Sequence, residues 1–328
     1  MQLTEYVADD TEVVETGRAI INATRAFETP WLPEVSAHRR EMEVRRGWDG
    51  PPYRHFLASV DGVPVGVAQV ETGEWDNRDL AWLGLTVHPE CRGRGHGSEL
   101  LERLMHVGRG EGCTKVGASG WELPGVEGFA KRHGFERASQ EVHRVQYPLE
   151  LPPGLADAAY DEAAPFATDY ELIRIVGRTP EPLLPAVVEL ANAINDAPLD
   201  DLDMEDEVFT AERVQAYESS TIETGHRLYR VVARHRPTGR LAGHSVVVVD
   251  IENPRLAHQH DTSVLREHRG HRLGLLVKAD MMRWLDQQEP QIETLGTWNA
   301  ETNDHMIAVN ERLGYRVEGR QLAFQRRL

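Results

Sequence analysis

The chain has 328 residues, 40% of them hydrophobic, which suits two domains of about 150 residues each. Its net charge of −17 argues against nucleic-acid binding, because such binding needs a basic face that displaces counterions. The sequence has no run of 18 apolar residues, no basic-then-apolar N-terminus and no metal-like spacing of its two cysteines, so we expect a cytoplasmic protein with no membrane segment and no metal.

The first half predicts an alternation of strands and helices. Asp61-Gly62 is a hairpin signal between two apolar runs. An Arg-Gly-rich turn, residues 88–97, separates an apolar strand from an amphipathic helix. The predicted elements are a helix over 11–27, strands over 55–60, 63–70 and 80–87, a helix over 95–107, a strand over 115–118, a helix over 126–132 and a strand over 141–147.

A segment rich in Pro, Ala, Asp and Glu, residues 149–169, is predicted to be a linker. The second half then repeats the plan of the first. Its predicted elements are a strand over 171–176, helices over 182–193 and 211–223, strands over 228–233, 241–249 and 257–265, a helix over 273–287, a strand over 292–297, a helix over 301–312 and a strand over 315–325.

The Arg-Gly-rich turn occurs twice, 177 residues apart. In the first copy Val87 and Gly97 lie five residues either side of Arg92, and in the second Val264 and Gly274 lie five residues either side of Arg269. A strand that feeds a glycine-rich turn and then a helix points backbone N–H groups and the positive helix end at one place. Both turns therefore predict an anion site, most often for phosphate.

The pattern Arg-x-x-Gly-x-Gly at Arg92, Gly95 and Gly97 resembles the pyrophosphate loop of the GNAT superfamily of acyl-CoA-dependent N-acyltransferases. The chain resembles two such α/β domains in tandem, as in mycothiol synthase and other actinobacterial acyltransferases. The domains would span residues 1–148 and 170–328. The resemblance implies acetyl-CoA as co-substrate and direct attack by a primary amine of a small molecule, without a covalent enzyme intermediate.

The resemblance also implies which residues hold the co-substrate. The strand before each turn would pair with the pantetheine arm, and the turn would take the pyrophosphate. The residues concerned are Leu85, Val87, Arg92, Gly93, Arg94, Gly95, His96, Gly97 and Ser98 in the first domain, and Thr262, Val264, Arg269, Gly270, His271, Arg272, Leu273, Gly274 and Asn303 in the second.

Both domains depart from the family pattern. Arg272 stands where Gly95 stands in the first copy, so its side chain either blocks the approach of phosphate or adds a charge-assisted bond to it. The family's later helix carries an asparagine and a tyrosine that protonates the departing thiolate. The second domain has Asn303 and Asn310 at those positions, and the first has Leu123 and Ala130. We therefore expect the first domain to bind acetyl-CoA without catalysing the reaction.

An amine must lose a proton before it attacks a thioester, so a base is expected near the strand that precedes the turn. Only the second copy of this strand has titratable residues, and His258 and Asp261 are the candidates. Strict alternation puts them on opposite faces unless a β-bulge intervenes. We expect the second domain to hold the catalytic site, with Asn310 donating a hydrogen bond to the thiolate.

Glu205 and Asp206, in an acidic stretch between two helices, would draw in a cationic amine, and Trp298 would shape the acceptor pocket. Two alternatives stay open. The first domain catalyses instead, with an acceptor site built from Trp31, Trp48 or Tyr53, or the chain is a non-catalytic acyl-CoA sensor or scaffold. The sequence is compatible with a monomer or a homodimer.

Overall fold

In the computed structural model, which describes residues 1–328, the chain divides into two compact units. The first unit comprises Met1–Gln140, Asp201–Asp206 and Gln321–Leu328, and the second comprises Glu141–Asp200 and Glu207–Arg320. Each unit is a mixed sheet with helices, so the predicted α/β class is confirmed. No helix is both long enough and apolar enough to cross a bilayer.

Nine strands and helices make up most of the first unit. They are β1 (Gln2–Tyr6), α1 (Thr11–Glu28), α2 (Ala37–Arg45), β2 (Arg54–Val60), β3 (Val63–Thr72), β4 (Leu80–Val87), α3 (His96–Gly110), β5 (Lys115–Trp121) and α4 (Val126–Arg132).

The remaining elements follow in chain order. They are β6 (Glu136–Gln146), α5 (Leu155–Ala163), β7 (Tyr170–Val176), α6 (Leu184–Asn192), α7 (Ala211–Glu223), β8 (His226–His235), β9 (Leu241–Asp250), β10 (Leu256–Val264), α8 (Leu273–Gln288), β11 (Thr294–Ala300), α9 (Asp304–Arg312) and β12 (Arg316–Arg327).

The strands of the first unit have the order β1-β2-β3-β4-β5-β12, and among them only β4 and β5 are parallel. Its last strand comes from the far end of the sequence, because residues 321–327 of β12 pair with β5. Leu322 and Phe324 of β12 are buried in the same core as Leu100 and Leu104 of α3. Burial of these apolar side chains favours the pairing by about 25 cal/mol for each Å² removed from water.

The strands of the second unit have the order β6-β11-β10-β9-β8-β7, with β10 and β11 parallel. Residues 141–146 of β6 pair with β11 and belong to this unit. The predicted division at residue 148 therefore differs from the observed one, since each unit takes a strand from the other half of the sequence. Local sequence patterns do not reveal this exchange, because they carry no information about which edge a strand joins.

The predicted linker is largely structured. Leu155–Ala163 forms α5, which packs on α8, and Ala159 and Ala163 are buried in the core of the second unit. Alanine is the best helix former, so an Ala-rich stretch after Pro152-Pro153 is as compatible with a helix as with a linker. Two further elements, β1 and α2, have no prediction; α2 is mostly charged and buries Arg40 and Val44.

Candidate functional site

The first Arg-Gly turn, loop 1 (residues 88–97), connects β4 to α3. Gly93 and Gly95 have φ angles of 74° and 87°, in the left-handed region where a side chain is strained. Gly95 is the N-cap of α3 and offers no side-chain cap, so the first-turn amides and the positive helix end face outward. This geometry fits a bound anion.

The basic residues of loop 1 have different surroundings. The Arg92 guanidinium donates to the Val87 carbonyl at 3.0 Å and to Glu28 at 2.6 Å, so it closes the turn. Arg94 is exposed and forms no ion pair, which leaves its guanidinium available to an anion. His96 and Gly97 begin α3, and the Ser98 hydroxyl lies 2.9 Å from His133 Nε2.

The strands β4 and β5 stop pairing before they reach loop 1. The two strands pair only from Leu80 to Trp82 and from Lys115 to Gly117, and then diverge. Leu85 and Val87 lie beyond the last paired position and are half-buried. The structure therefore brings these two predicted residues together with loop 1 along one open strand edge.

The second turn, loop 2 (residues 265–274), has a backbone similar to that of loop 1, but different side chains pack over it. Gly270 and Arg272 have φ angles of 87° and 52°. The Arg272 guanidinium donates to Glu162 at 3.0 Å and lies 4.1 Å above the Phe166 ring. The predicted alternatives for Arg272 were a blocked site or a bond to phosphate; in the structure the guanidinium is paired with a carboxylate.

Acidic residues also neutralise the other arginines of loop 2. Arg266 and Arg269 both form ion pairs with Asp196, and Arg269 donates to the Val264 carbonyl at 3.3 Å. His271 lies 3.1 Å from the Phe166 carbonyl, and Leu273 and Gly274 are buried. Loop 2 is thus covered by the segment that follows α5, and loop 1 is open.

A β-bulge interrupts β10 at the candidate base. The register with β9 shifts by one residue between Gln259 and Thr262, whereas β4 pairs with β3 without a shift. Asp261 is near Tyr217 of α7 and Arg230 of β8, and burial raises the pKa of its carboxyl. His260 Nδ1 lies 2.6 Å from the Tyr217 hydroxyl. The bulge thus turns Asp261 toward the α7 side of the sheet.

Two other residues of β10 sit on either side of the bulge. His258 is half-buried beside Gly296 of β11. A Cβ on Gly296 would stand 3.5 Å from Nδ1 of the His258 ring. The Thr262 hydroxyl lies 3.1 Å from the Ser245 hydroxyl.

Both polar atoms of the Asn310 side chain have partners within the second unit. Its side chain is fully buried, its Oδ1 accepts from Lys278 Nζ at 2.8 Å, and its Nδ2 donates to Asn299 at 2.6 Å. Asn303 is the N-cap of α9 and accepts from the Met306 amide at 3.2 Å. Both asparagines have structural partners, and the fully buried Asn310 amide needs them. Trp298 is 38% exposed and stacks 4.6 Å from His143.

Lys278 provides a pH test of this buried network. Burial lowers the pKa of its ammonium to about 7, whereas the unfolded chain holds the proton up to the ordinary value of about 10.4. Between these two pKa values the unfolded chain binds more protons than the folded chain, so the free energy of unfolding rises with pH. Below about pH 7 both states hold the proton, so the destabilisation that the buried Lys278 causes is constant. Relative to Lys278→Met, we expect the wild-type free energy of unfolding to gain about 1 kcal/mol per pH unit above pH 7. Urea unfolding at pH 7 and pH 9 measures it, and equal pH slopes in the two proteins contradict it.

Glu205 and Asp206 belong to the first unit, not to an acceptor cleft of the second. Glu205 and Asn77 exchange backbone and side-chain hydrogen bonds of 2.8–3.3 Å, and Lys115 Nζ donates to Asp203 at 3.2 Å. This segment is therefore held by polar pairing to the β3–β4 loop and to β5. Asp206 is exposed.

A carboxylate that the sequence analysis missed lies on a strand of the first unit. Glu71 of β3 is opposite Trp82 of β4 and hydrogen-bonded to Tyr53. Burial, and secondarily the charge of Asp49, raise its pKa. The signal available in the sequence was a single acid at the end of the apolar strand 63–70.

Comparisons with known proteins match this architecture. The model of the acetyltransferase (GNAT) family matches residues 21–135. The chain is 32% identical over 148 residues to the mycothiol acetyltransferase of Nocardiopsis dassonvillei, and 30% identical over 147 residues to that of Rhodococcus opacus. Each alignment covers 44% of this chain, and they cover 42% and 45% of the relatives. The chain thus spans less than half the length of the curated relatives it matches.

Two solved structures match nearly the whole chain. A tandem GNAT protein from the clavulanic acid biosynthesis pathway, without AcCoA, has a TM-score of 0.79 and 25% identity over 99% of this chain and 98% of its own. A GCN5-related N-acetyltransferase from Sphaerobacter thermophilus has a TM-score of 0.71 and 14% identity over 99% and 95%, a likeness of fold alone.

Proposed function

Because this chain is a tandem-domain protein of the acetyltransferase (GNAT) family, we propose that it transfers an acyl group, chiefly acetyl, from coenzyme A to a primary amine of a small molecule. The family match, residues 21–135, falls within the first unit, and the curated relatives are named as acetyltransferases. The acceptor is proposed only as a class, since a primary amine is the nucleophile that this type of reaction needs.

The contrast between the two loops carries the proposal. Loop 1 offers left-handed glycines, an outward helix N-terminus and the unpaired Arg94. In loop 2 the guanidinium groups of Arg266, Arg269 and Arg272 are each paired with a carboxylate. An incoming pyrophosphate would have to displace those carboxylates, so we assign the co-substrate to the first unit.

Different residues of the first unit would then bind different parts of acyl-CoA. Loop amides and Arg94 would bind the pyrophosphate, and the free edge of β4 at Leu85 and Val87 would pair with the pantetheine arm. Bound acyl-CoA supplies a thioester whose carbonyl carbon accepts the amine. His258 and Asp261 remain the predicted candidates for the base. The bulge on β10 supports this prediction, and the carboxylates paired with the arginines of loop 2 oppose it.

The proposal predicts that the purified protein, with acetyl-CoA and a panel of primary amines, releases one free thiol for each amide formed. Thiol titration with mass spectrometry of the acetylated amine measures both products. Binding of acetyl-CoA without turnover of any amine contradicts transfer and favours a sensor of acyl-CoA. A tertiary-amine panel is the matched control, because a tertiary amine cannot form a neutral amide.

A further inference from the structure

We propose that His133 is a positioning residue of the donor site in the first unit. It takes up a proton when the pyrophosphate of acyl-CoA binds loop 1, and it acts on that pyrophosphate through the Ser98 hydroxyl. This inference rests on the proposed function and adds a proton-linked contact to its donor site. Three observations carry it: the hydrogen bond between the two side chains, the charges around the His133 ring, and the residues at the same positions of the second unit.

Ser98 lies at the end of α3 that borders loop 1. It is the third residue of the helix and is half-buried, and the N-cap Gly95 offers no side-chain cap. The first amides of a helix have no partner within it, so an anion bound there lies close to the side chains of the first turn. A serine hydroxyl has one hydrogen and two lone pairs. Ser98 is therefore suited to donate to a phosphate oxygen while it accepts from a second group.

That second group is the His133 ring. His133 is the C-cap of α4, and its Nε2 lies 2.9 Å from the Ser98 Oγ. On the opposite side of the ring, Nδ1 lies 3.8 Å from a carboxylate oxygen of Glu102. Ser98 and Glu102 are four residues apart on α3 and share one face of it. The Phe129 ring packs against the imidazole with centroids 4.7 Å apart. These contacts fix the orientation of the ring.

The charges around His133 come from three elements. From α3 the Glu102 carboxylate faces Nδ1, and from β12 the Arg326 guanidinium donates to the His133 backbone carbonyl. On α4 itself, Lys131 is paired with Glu127 at 3.3 Å. The C-terminal end of a helix carries partial negative charge, which favours a cationic side chain there. A pyrophosphate at loop 1 adds further negative charge on the Ser98 side of the ring, and together these charges favour the imidazolium form.

Uptake of the proton reverses one hydrogen bond. In the neutral ring Glu102 favours the proton on Nδ1, so Nε2 accepts from the Ser98 hydroxyl. When Nε2 takes a proton from water, it donates to the Ser98 oxygen, and the hydroxyl hydrogen turns to a phosphate oxygen. No covalent bond of acyl-CoA forms or breaks in this step. The phosphate gains a hydrogen bond, and the protein gains a positive charge beside it.

The second unit has apolar residues at the two corresponding positions. Leu275 is the third residue of α8, as Ser98 is of α3. Leu313 is the C-cap of α9, as His133 is of α4, and both leucines are buried. Packing at these positions therefore does not require a polar pair. The polar pair occurs in the unit with the open loop, and the leucines occur in the unit whose loop arginines are paired with carboxylates.

Calorimetry of acetyl-CoA binding in two buffers with different ionisation enthalpies measures the protons taken up at each site. We expect wild type to take up protons and His133→Leu, which introduces the residue type of the second unit, to take up fewer. At pH 7 this variant should bind about 10-fold more weakly. Wild-type affinity should fall between pH 6 and pH 8, because binding that consumes protons weakens as they become scarce, and the affinity of His133→Leu should change less. Equal proton uptake by the two proteins overturns the proposal.

Two controls isolate the contribution of His133. His106→Leu removes an exposed imidazole from the same helix, α3, and should change neither affinity nor proton uptake. Titration with 3′-dephospho-acetyl-CoA removes a phosphate monoester that itself binds protons near neutral pH, and the difference between wild type and His133→Leu should persist. His133→Gln keeps a neutral hydrogen-bonding group and should recover part of the affinity without the proton uptake. Full recovery of both would contradict a role for the charge.

A double-mutant cycle tests whether His133 acts through Ser98. We expect Ser98→Ala to weaken binding about as much as His133→Leu, and the combined variant to be no weaker than either single variant. Additive losses would mean that the two side chains act independently, which overturns the coupling. Glu102→Gln should lower proton uptake, because it removes the negative charge beside Nδ1.

These measurements use no amine, so they separate the inference from the proposed transfer. Proton uptake that depends on His133 supports the inference even where no amine is acetylated, in which case transfer itself fails. Acetyl-CoA binding with the same proton uptake in wild type and His133→Leu overturns the inference and leaves the proposed transfer standing. Wild type that binds no acetyl-CoA overturns both.

Discussion

Gly95→Asp is expected to weaken acetyl-CoA binding by about 100-fold or more, equivalent to roughly 3 kcal/mol. The variant places a carboxylate at the N-terminus of α3, where the proposed site receives pyrophosphate, and like charges at close range repel. It also imposes a side chain on a residue whose φ is 87°. Calorimetry measures the affinity and the number of sites per chain.

Gly112→Asp is the matched control for that experiment. Gly112 has a φ of 86° just beyond the other end of α3, and a Cβ there meets nothing within 4 Å. Both variants therefore carry the same backbone strain, and only one stands at the anion site. We expect one acetyl-CoA site in Gly112→Asp and in wild type. A site that survives in Gly95→Asp but disappears in Gly270→Asp would place the donor in the second unit.

Glu218→Ala should cost the second unit about 3–5 kcal/mol of unfolding free energy. Glu218 and Arg230 are 1% and 2% exposed, with 2.9 Å between the carboxylate oxygen and the guanidinium nitrogen. The Glu218 carboxylate also accepts from the Thr179 amide at 2.9 Å. Its removal takes from the buried guanidinium the carboxylate that it contacts directly. Urea unfolding followed by circular dichroism measures the loss.

Two companion variants make the stability measurement decisive. Glu127→Ala removes one partner of the exposed Lys131–Glu127 pair, where the atoms are 3.3 Å apart, and should leave stability unchanged. The double variant Glu218→Met with Arg230→Met should recover most of the loss, because it removes both buried charges and keeps the volume. A Glu218→Ala protein as stable as Glu127→Ala would show that the buried pair contributes little.

The sequence was sufficient to predict the two loops and the strand–turn–helix context of each. Positive φ at Gly93, Gly95 and Gly270 is a local requirement, and local requirements leave a signature in residue type. The hairpin at Asp61-Gly62 and the order of strands around it were predictable for the same reason.

The candidate base was harder to locate, because the two copies of the strand differ by one residue. Trp82 and His258 are each the last residue to pair with the neighbouring parallel strand. Val87 lies five residues after Trp82, whereas Val264 lies six after His258, and the bulge holds the extra residue. An ungapped comparison of the copies therefore matches His258 to Ala81 and hides the equivalence with Trp82.

Contacts between side chains that are distant in the sequence could not be predicted. Nothing in the sequence links Glu162 to Arg272, or Glu205 to Asn77, because each contact joins residues more than a hundred positions apart. Lys278 and Asn310 are 32 positions apart, and no local pattern in the sequence indicates their pairing either. Glu71 was missed because its burial and its hydrogen bond to Tyr53 depend on the fold.

The membership of β12 in the first unit has a consequence for synthesis of the protein. The ribosome reaches Gln321 only after it has made the whole second unit, so the edge of β5 that pairs with β12 stays unpaired throughout that time. An unpaired strand edge is a template for pairing with other chains. We therefore expect the nascent first unit to expose this edge of β5 until translation has passed residue 327.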